Sequence, residues 1–180
     1  MRKILQKEEK VLRVLAKEVP IKDIKTPKIK KVLKEMSVAL KSQSDGVAIA
    51  APQIGYSLRI FVVSGRIFEK DFGIKKEEKI STKKTKSKIR DLIFINPKIS
   101  KLSKDKEWLP EGCLSVRPFY GKTFRSKKAT VTAHDENGKK FTRGASGLLA
   151  QIFQHETDHL DGILFIDHAK DVKEEPSMSS

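Results

Sequence analysis

Apolar residues recur at helical spacing in two stretches of the chain. Ile29, Val32, Leu33, Met36 and Leu40 fall three or four positions apart, which predicts a helix from Thr26 with one face on a core. Thr26 suits the N-cap and Pro27 the first turn. The second helix is predicted from near Ala145 to about Leu160, with Gly162 placed to end it. It carries two stripes. Leu149, Phe153 and Leu160 form the stripe that faces the core, and Leu148 and Ile152 share the other with His155 and His159. Periodicity at Val11, Leu12, Leu15 and Val19 is helical but weak.

Strand patterns lie between the helices. Leu58–Val63 is rich in β-branched and aromatic residues, and Leu92–Ile95 is a strand ended by the turn signal Asn96-Pro97. Phe124–Ala133 and Lys139–Thr142 flank Asp135-Glu136-Asn137-Gly138, a hairpin turn sequence. The run GVAIAAPQIG, Gly46–Gly55, is made of small residues, which serve tight packing or close approach of another backbone. Ser64–Arg90 has ten Lys and Arg against four Asp and Glu, a net of +6, and reads as a solvated loop between strands. No repeat and no domain boundary is visible. The expectation is one catalytic domain over residues 1–168, with a basic insertion at 64–90 and a polar tail at 169–180, whose end KEEPSMSS frays.

Composition narrows the class. A chain of 180 residues, 38% hydrophobic and 34% charged, has the length for a real core and a highly charged surface. The net charge of +15 attracts polyanions and says nothing of chemistry. A single cysteine excludes an internal disulfide framework and fits a reducing compartment. There is no apolar run for a membrane span and no apolar core of a secretory signal. Glu8, Glu9 and Glu18 argue against an acid-poor transit peptide.

The chemistry gathers at Gln154–His159, QHETDH. On a helix, residues four apart sit one turn apart, so His155 and His159 present two imidazoles on one face. Glu156 lies at the edge of that face, within reach of a water acidified by a metal. Two imidazoles need a third protein ligand. The pattern HExxHxxGxxH would place it at position 165, which holds Phe165. A downstream acid would have to be Asp167, Asp171, Glu174 or Glu175, the last three in the polar tail. The better candidate is Cys113, inside LPEGCLS.

Three blocks in order, GVAIAAPQIG, EGCLS and QHETDH, resemble the peptide deformylase motifs GxGxAAxQ, EGCLS and QHExDH. The resemblance covers about residues 4–168 and is interrupted by the basic insertion. It implies an α+β fold, with antiparallel β-sheets packed around a central helix that carries HExxH, plus an N-terminal helix. It implies hydrolysis of the N-formyl group from the formylmethionine of nascent polypeptides. Cys113, His155 and His159 are the implied metal ligands, for Fe2+ before Zn2+, Ni2+ or Co2+. Glu156 is the implied proton carrier, and Gln53 and the Leu114 N–H the implied oxyanion donors. Glu111 and Asp158 are candidates to orient ligands from behind. Val47, Ala48, Leu109, Glu111, Leu148 and Ile152 are the expected substrate-binding positions. His134 and His168 match no ligand position.

The expected partner is a formylated nascent peptide, with weak ribosome contact through the basic surface, no membrane and no specific nucleic-acid sequence. The expected compartment is a bacterial-type cytoplasm or a reducing organelle. Three departures from the family pattern bear on efficiency. Ala48 stands where glycine is usual, Val116-Arg117-Pro118 alters the loop beyond Cys113, and the N-terminal Pro-Asp pair is missing. Two other classes compete. A zinc endopeptidase is disfavoured by Phe165, and an RNA- or ribosome-binding protein with a structural metal site would need His134 or His168 as a fourth ligand.

Overall fold

A computed structural model describes residues 2–69 and 90–174. Most of the expected basic insertion, from 70 to 89, therefore lies outside the described residues, as do 175–180. The helices are α1 (Pro27–Lys41) and α2 (Gly147–Leu160). The strands are β1 (Ala48–Ala50), β2 (Ile60–Val63), β3 (Leu92–Leu102), β4 (Lys106–Gly112), β5 (Phe119–Ser126), β6 (Lys128–His134), β7 (Lys140–Ser146) and β8 (Lys170–Glu174). They form two antiparallel sheets, ordered β1-β2-β3-β6-β7 and β4-β5-β8. The α+β expectation holds.

The apolar run in β2 has a physical cause. Ile60 and Val62 join Ile29, Val32, Met36 and Leu40 on the α1 side, while Phe61 and Val63 join Phe94 and Phe153 on the α2 side. A sheet covered on both faces has no solvent side for polar residues. Phe61 and Phe94 stack with ring centres 4.5 Å apart, and Phe153 meets Phe94 edge-on at 5.2 Å. Phe153 and Leu160 are thus the core stripe of α2, as the spacing predicts. The opposite side of α2 meets the second sheet. There Gln154 accepts from Ser126 N at 2.9 Å and donates to Ser126 O at 2.9 Å.

Several local expectations change. Asn96-Pro97 does not end β3. Asn96 takes φ 51°, and its amide accepts from Val19 N at 2.8 Å and donates to Val19 O at 2.7 Å. The side chain stands in for a neighbouring peptide where Pro97 has no N–H, and pairing with β6 resumes at Lys98 after a register shift. Phe124–Ala133 is two strands, because the chain leaves the second sheet at Ser126 and enters the first at Lys128. The hairpin of β6 and β7 around Asp135–Gly138 is as expected. Thr26 precedes α1, but its hydroxyl donates back to Asp23 O at 2.7 Å and caps nothing.

Residues 2–20 hold a short 3-10 turn at Lys10–Arg13 and no α-helix. Their backbone groups bond across to other elements. Ala16 N donates to Leu160 O at 2.8 Å, and Lys17 O accepts from Arg59 N at 2.8 Å. At the other end, the stretch expected as a polar tail from residue 169 contributes β8, paired with β5. Gly162 does terminate α2. It sits at φ 77°, and a Cβ there would lie 2.9 Å from the Arg13 carbonyl carbon.

Candidate metal centre

β4 carries Glu111 and delivers Cys113 just past its end, while α2 carries both histidines. The ligand atoms of Cys113, His155 and His159 all lie within 4.8 Å of one another. Cys113 Sγ is 3.1 Å from His159 Nε2. The two imidazoles stand nearly edge to face, with centres 4.9 Å apart. Glu111 Oε1 sits 2.7 Å from His155 Nδ1, which fixes the ring and leaves Nε2 as the nitrogen open to a metal.

Glu111 is held in turn. Thr123 Oγ1 donates to it at 2.7 Å, Gln151 Nε2 at 3.2 Å, and Arg125 through Nη2 at 2.7 Å and Nε at 3.1 Å. Arg125 Nη1 also donates to Asp158 at 2.6 Å, so Asp158 reaches the site through Arg125. Burial works against charge on Glu111, and hydrogen bonds from His155 and Arg125 outweigh it, holding the carboxyl far below the usual range. Burial likewise opposes charge on His155. Its hydrogen bonds to Cys113 and Glu111 win and draw its pKa well above the ordinary value. Burial, with the His155 charge adding to it, pushes His159 well below. Burial also raises Glu156 to about 7.

These residues fit a divalent metal. Three donors of thiolate and imidazole type converge, and that set suits iron or zinc over magnesium or calcium. At the cluster itself, buried Glu156 Oε2 and His159 Nδ1 have no hydrogen-bond partner among the described residues. Phe165, where another metallopeptidase class places a ligand, is 1% exposed with its ring centre 6.5 Å from that of His155. His134 and His168 lie outside the cluster, and His168 Nε2 is 3.4 Å from Asp158.

Gln53 is fixed at both ends of its amide. Its oxygen accepts from Ala50 N at 2.8 Å, and its nitrogen lies 3.0 Å from Ser115 Oγ and 3.6 Å from Cys113 Sγ. The same side chain therefore bonds its own loop and presents an N–H beside the cysteine. Leu114 N has no acceptor within reach among the described residues, and its carbonyl accepts from Gln6 Nε2 at 3.2 Å.

A cleft of about 280 Å³ opens over this cluster. Val47, Ala48, Leu148 and Ile152 supply apolar wall, and Gln53, Glu111, Cys113, Leu114, His155 and Glu156 also line it. Leu109 is not among the lining residues, in contrast to the sequence expectation. It pairs with Thr123 further back along β4, and its neighbours Pro110 and Gly112 reach the cleft instead. Ala48 opens β1 and is absent from the positive-φ positions, so its methyl narrows the wall without backbone strain. Arg117 crosses the mouth to Asp45 at 2.5 Å, which gives the altered loop beyond Cys113 an anchor.

Arg125, Thr123, Ser115 and Gln151 escape a reading of the sequence. The available signal is the period-two pattern of β5. Gly121 is opposite Glu111, so Thr123 and Arg125 share the Glu111 face once that register is known.

A cysteine beyond a strand and an HExxH helix between two antiparallel sheets, closing on one point at the end of an apolar cleft, define the class of small metal-site hydrolases. Within it, the chain belongs to the polypeptide deformylase family, whose model matches residues 1–175. A curated peptide deformylase from Borreliella burgdorferi is 40% identical over 158 residues, covering 88% of this chain and 81% of that one. The fold is similar to a Synechococcus elongatus peptide deformylase in complex with actinonin, with TM-score 0.74, 31% identity, and 94% and 79% of the two chains covered. It is also similar to a Met-Ala-Ser-bound class I type b peptide deformylase from Acinetobacter baumannii, with TM-score 0.76, 25% identity, and 93% and 99% covered.

Proposed function

We propose that this chain hydrolyses the N-formyl group from the formylmethionine of nascent polypeptides, releasing formate and a free amine. The observation that carries the reading is the convergence of Cys113 on the HExxH pair, with buried Glu156 beside it and an apolar cleft in front. In this reading Cys113, His155 and His159 hold one divalent metal, Fe2+ in the native protein, with Zn2+, Ni2+ or Co2+ able to occupy the same donors. A metal so held supplies a Lewis acid and lowers the pKa of a water from about 15.7 to about 7.

The protein's own groups then divide the work. Val47, Ala48, Leu148 and Ile152 receive the methionine side chain and exclude water from the reacting centre. Gln53 Nε2 and the Leu114 N–H donate to the negative charge that develops on the formyl oxygen. Glu156 accepts a proton from the attacking water and passes it to the amine nitrogen as the C–N bond breaks. Glu111 fixes the His155 ring, and Arg125 fixes Glu111. The Met-Ala-Ser ligand of the Acinetobacter baumannii relative supports a cleft that takes a methionine-led peptide.

The basic segment 64–90 is assigned a weak, salt-sensitive attraction to ribosomal phosphate, separate from hydrolysis. Among the described residues no helix is long and apolar enough to cross a membrane, and the free cysteine ligand fits a reducing compartment, a bacterial-type cytoplasm or an organelle. The deciding experiment incubates Fe2+-loaded protein, kept anaerobic, with formyl-Met-Ala-Ser. Equal amounts of formate and Met-Ala-Ser, with the internal peptide bonds intact, are expected. Metal-replete protein that releases no formate overturns the reading.

A further inference from the structure

We propose that the outer face of the second sheet is a docking surface for single-stranded RNA. The face is built by alternation along two strands. Glu111, Thr123 and Arg125 turn inward to the metal centre, so Lys106 and Trp108 of β4 and Lys122 and Phe124 of β5 turn outward. Trp108 and Phe124 are direct partners in the register, with ring centres 5.2 Å apart, and are 43% and 50% exposed. The solvent side of an antiparallel sheet is ordinarily polar, so a paired Trp and Phe there stand out.

The charges around the rings select the partner. Lys170 Nζ lies 4.7 Å from the Trp108 ring centre and Lys106 Nζ 5.9 Å from that of Phe124. Lys122 is paired with Asp171 at 3.3 Å, whereas neither Lys106 nor Lys170 meets a carboxylate among the described residues. Exposed aromatics stack bases of any sequence, and lysines beside them meet the phosphates. An apolar peptide would cover the rings and leave the cations unmatched. The excess charge of the chain, +15, has the same sign. The same two strands carry Gly112 and Tyr120 to the cleft wall, so RNA on this face lies beside the cleft. The inference stands whether or not the chain is a deformylase.

Trp108 is the single tryptophan of the chain, so its emission reports events on this face. A titration with a twelve-nucleotide oligo(U) is expected to quench it saturably, with affinity that falls as salt rises. Phe124→Ala should weaken binding about tenfold, within the range for losing one stacked base. Replacing Lys106 and Lys170 with Ser should make the salt dependence shallower by roughly one unit of slope each. All three positions lie outside the metal centre and cleft, so hydrolysis of a short formyl peptide should not change, and circular dichroism checks folding. Fluorescently labelled RNA that binds without quenching Trp108, or that responds to serine at Lys83, Lys84, Lys86 and Lys88 but not to Phe124→Ala, overturns the proposal in favour of the basic segment. Quenching by a long apolar formyl peptide but not by RNA makes the face a peptide surface. No binding by either probe also overturns it.

Discussion

Arg125 grips Glu111 with two nitrogens, Nη2 to Oε1 at 2.7 Å and Nε to Oε2 at 3.1 Å, and both side chains are almost wholly buried. A forked contact of this kind sets the plane of the carboxylate as well as its position. Glu111 Oε1 is also the atom that meets His155 Nδ1, so the guanidinium positions a candidate metal ligand at one remove. Arg125→Lys retains the charge and loses the fork. It is expected to lower metal affinity by roughly tenfold to a hundredfold, the usual cost of disturbing a ligand's support. A competitive chelator titration reads this directly. Arg125→Met strands the Glu111 carboxylate in the interior and should cost about 3–5 kcal/mol in urea unfolding. Unchanged affinity in the lysine variant would place Arg125 in the scaffold alone.

Alanine at Cys113, His155 or His159 is expected to remove metal and turnover together, because each supplies one of three converging donors. Metal content of purified Cys113→Ala by mass spectrometry checks the one donor that comes from outside the helix. Full stoichiometry there would reassign it.

Glu156→Ala should keep the metal and lose turnover by about 10²-fold or more, since proton transfer is removed while coordination stays. Paired metal analysis and formate release on one preparation give the answer. A metallated variant with near-normal turnover would show that another group moves the proton.

The two apolar cleft residues separate binding from folding. Ile152 is 4% exposed and packs in the core beneath α2, so Ile152→Ala should cost about 2–5 kcal/mol of stability as well as affinity. Leu148 also lines the cleft but is 42% exposed. Leu148→Asp should therefore raise KM for formyl-Met peptides with little change in unfolding midpoint. An unaltered KM would move the methionine pocket away from this stripe.

Asp167 gives a pH prediction. Burial pushes its pKa up, but the Arg13 side chain at 2.6 Å and the Leu164 N–H at 2.8 Å outweigh that and hold it below the ordinary value. A carboxyl lowered in the folded state contributes stability above its unfolded pKa and loses it as pH falls through the folded one. Asp167→Asn should thus destabilise at pH 7 and approach wild type in strong acid. The pair is partly exposed, so the ionic share is about 0–1 kcal/mol. Urea midpoints at pH 7 and pH 3 for both proteins test the sign.

How far the sequence is legible follows from how local each signal is. α1, α2, β2 and the β6–β7 hairpin carry their periods or turn residues in one stretch, and the structure has them. β4 reads KEWLPEG, with three of seven residues charged and a proline within it, and becomes a strand only by pairing with β5. β8, KDVKE, is exposed at every residue and shows no alternation at all. Asn96 reads as a turn because its partner, Val19, is 77 positions away. Arg125 is one of 38 Lys and Arg until the β4–β5 register places it behind Glu111. The metal donors are legible for the opposite reason. Two of them lie one helical turn apart, and the single cysteine, inside EGCLS, is a better third candidate than the acids downstream.

Cys113 and His159 are 46 positions apart in the chain, the first attached to the second sheet and the other to the helix against the first. An ion held by both would therefore close a long loop and staple two layers, much as a disulfide does in an oxidising compartment. The folded protein would then be a chelate whose stability follows mass action. At free metal one hundred times the dissociation constant, the added stability is about 2.7 kcal/mol. Thermal melting should then climb with the logarithm of free metal and fall on addition of EDTA, and cysteine oxidation would unfasten the staple along with the chemistry.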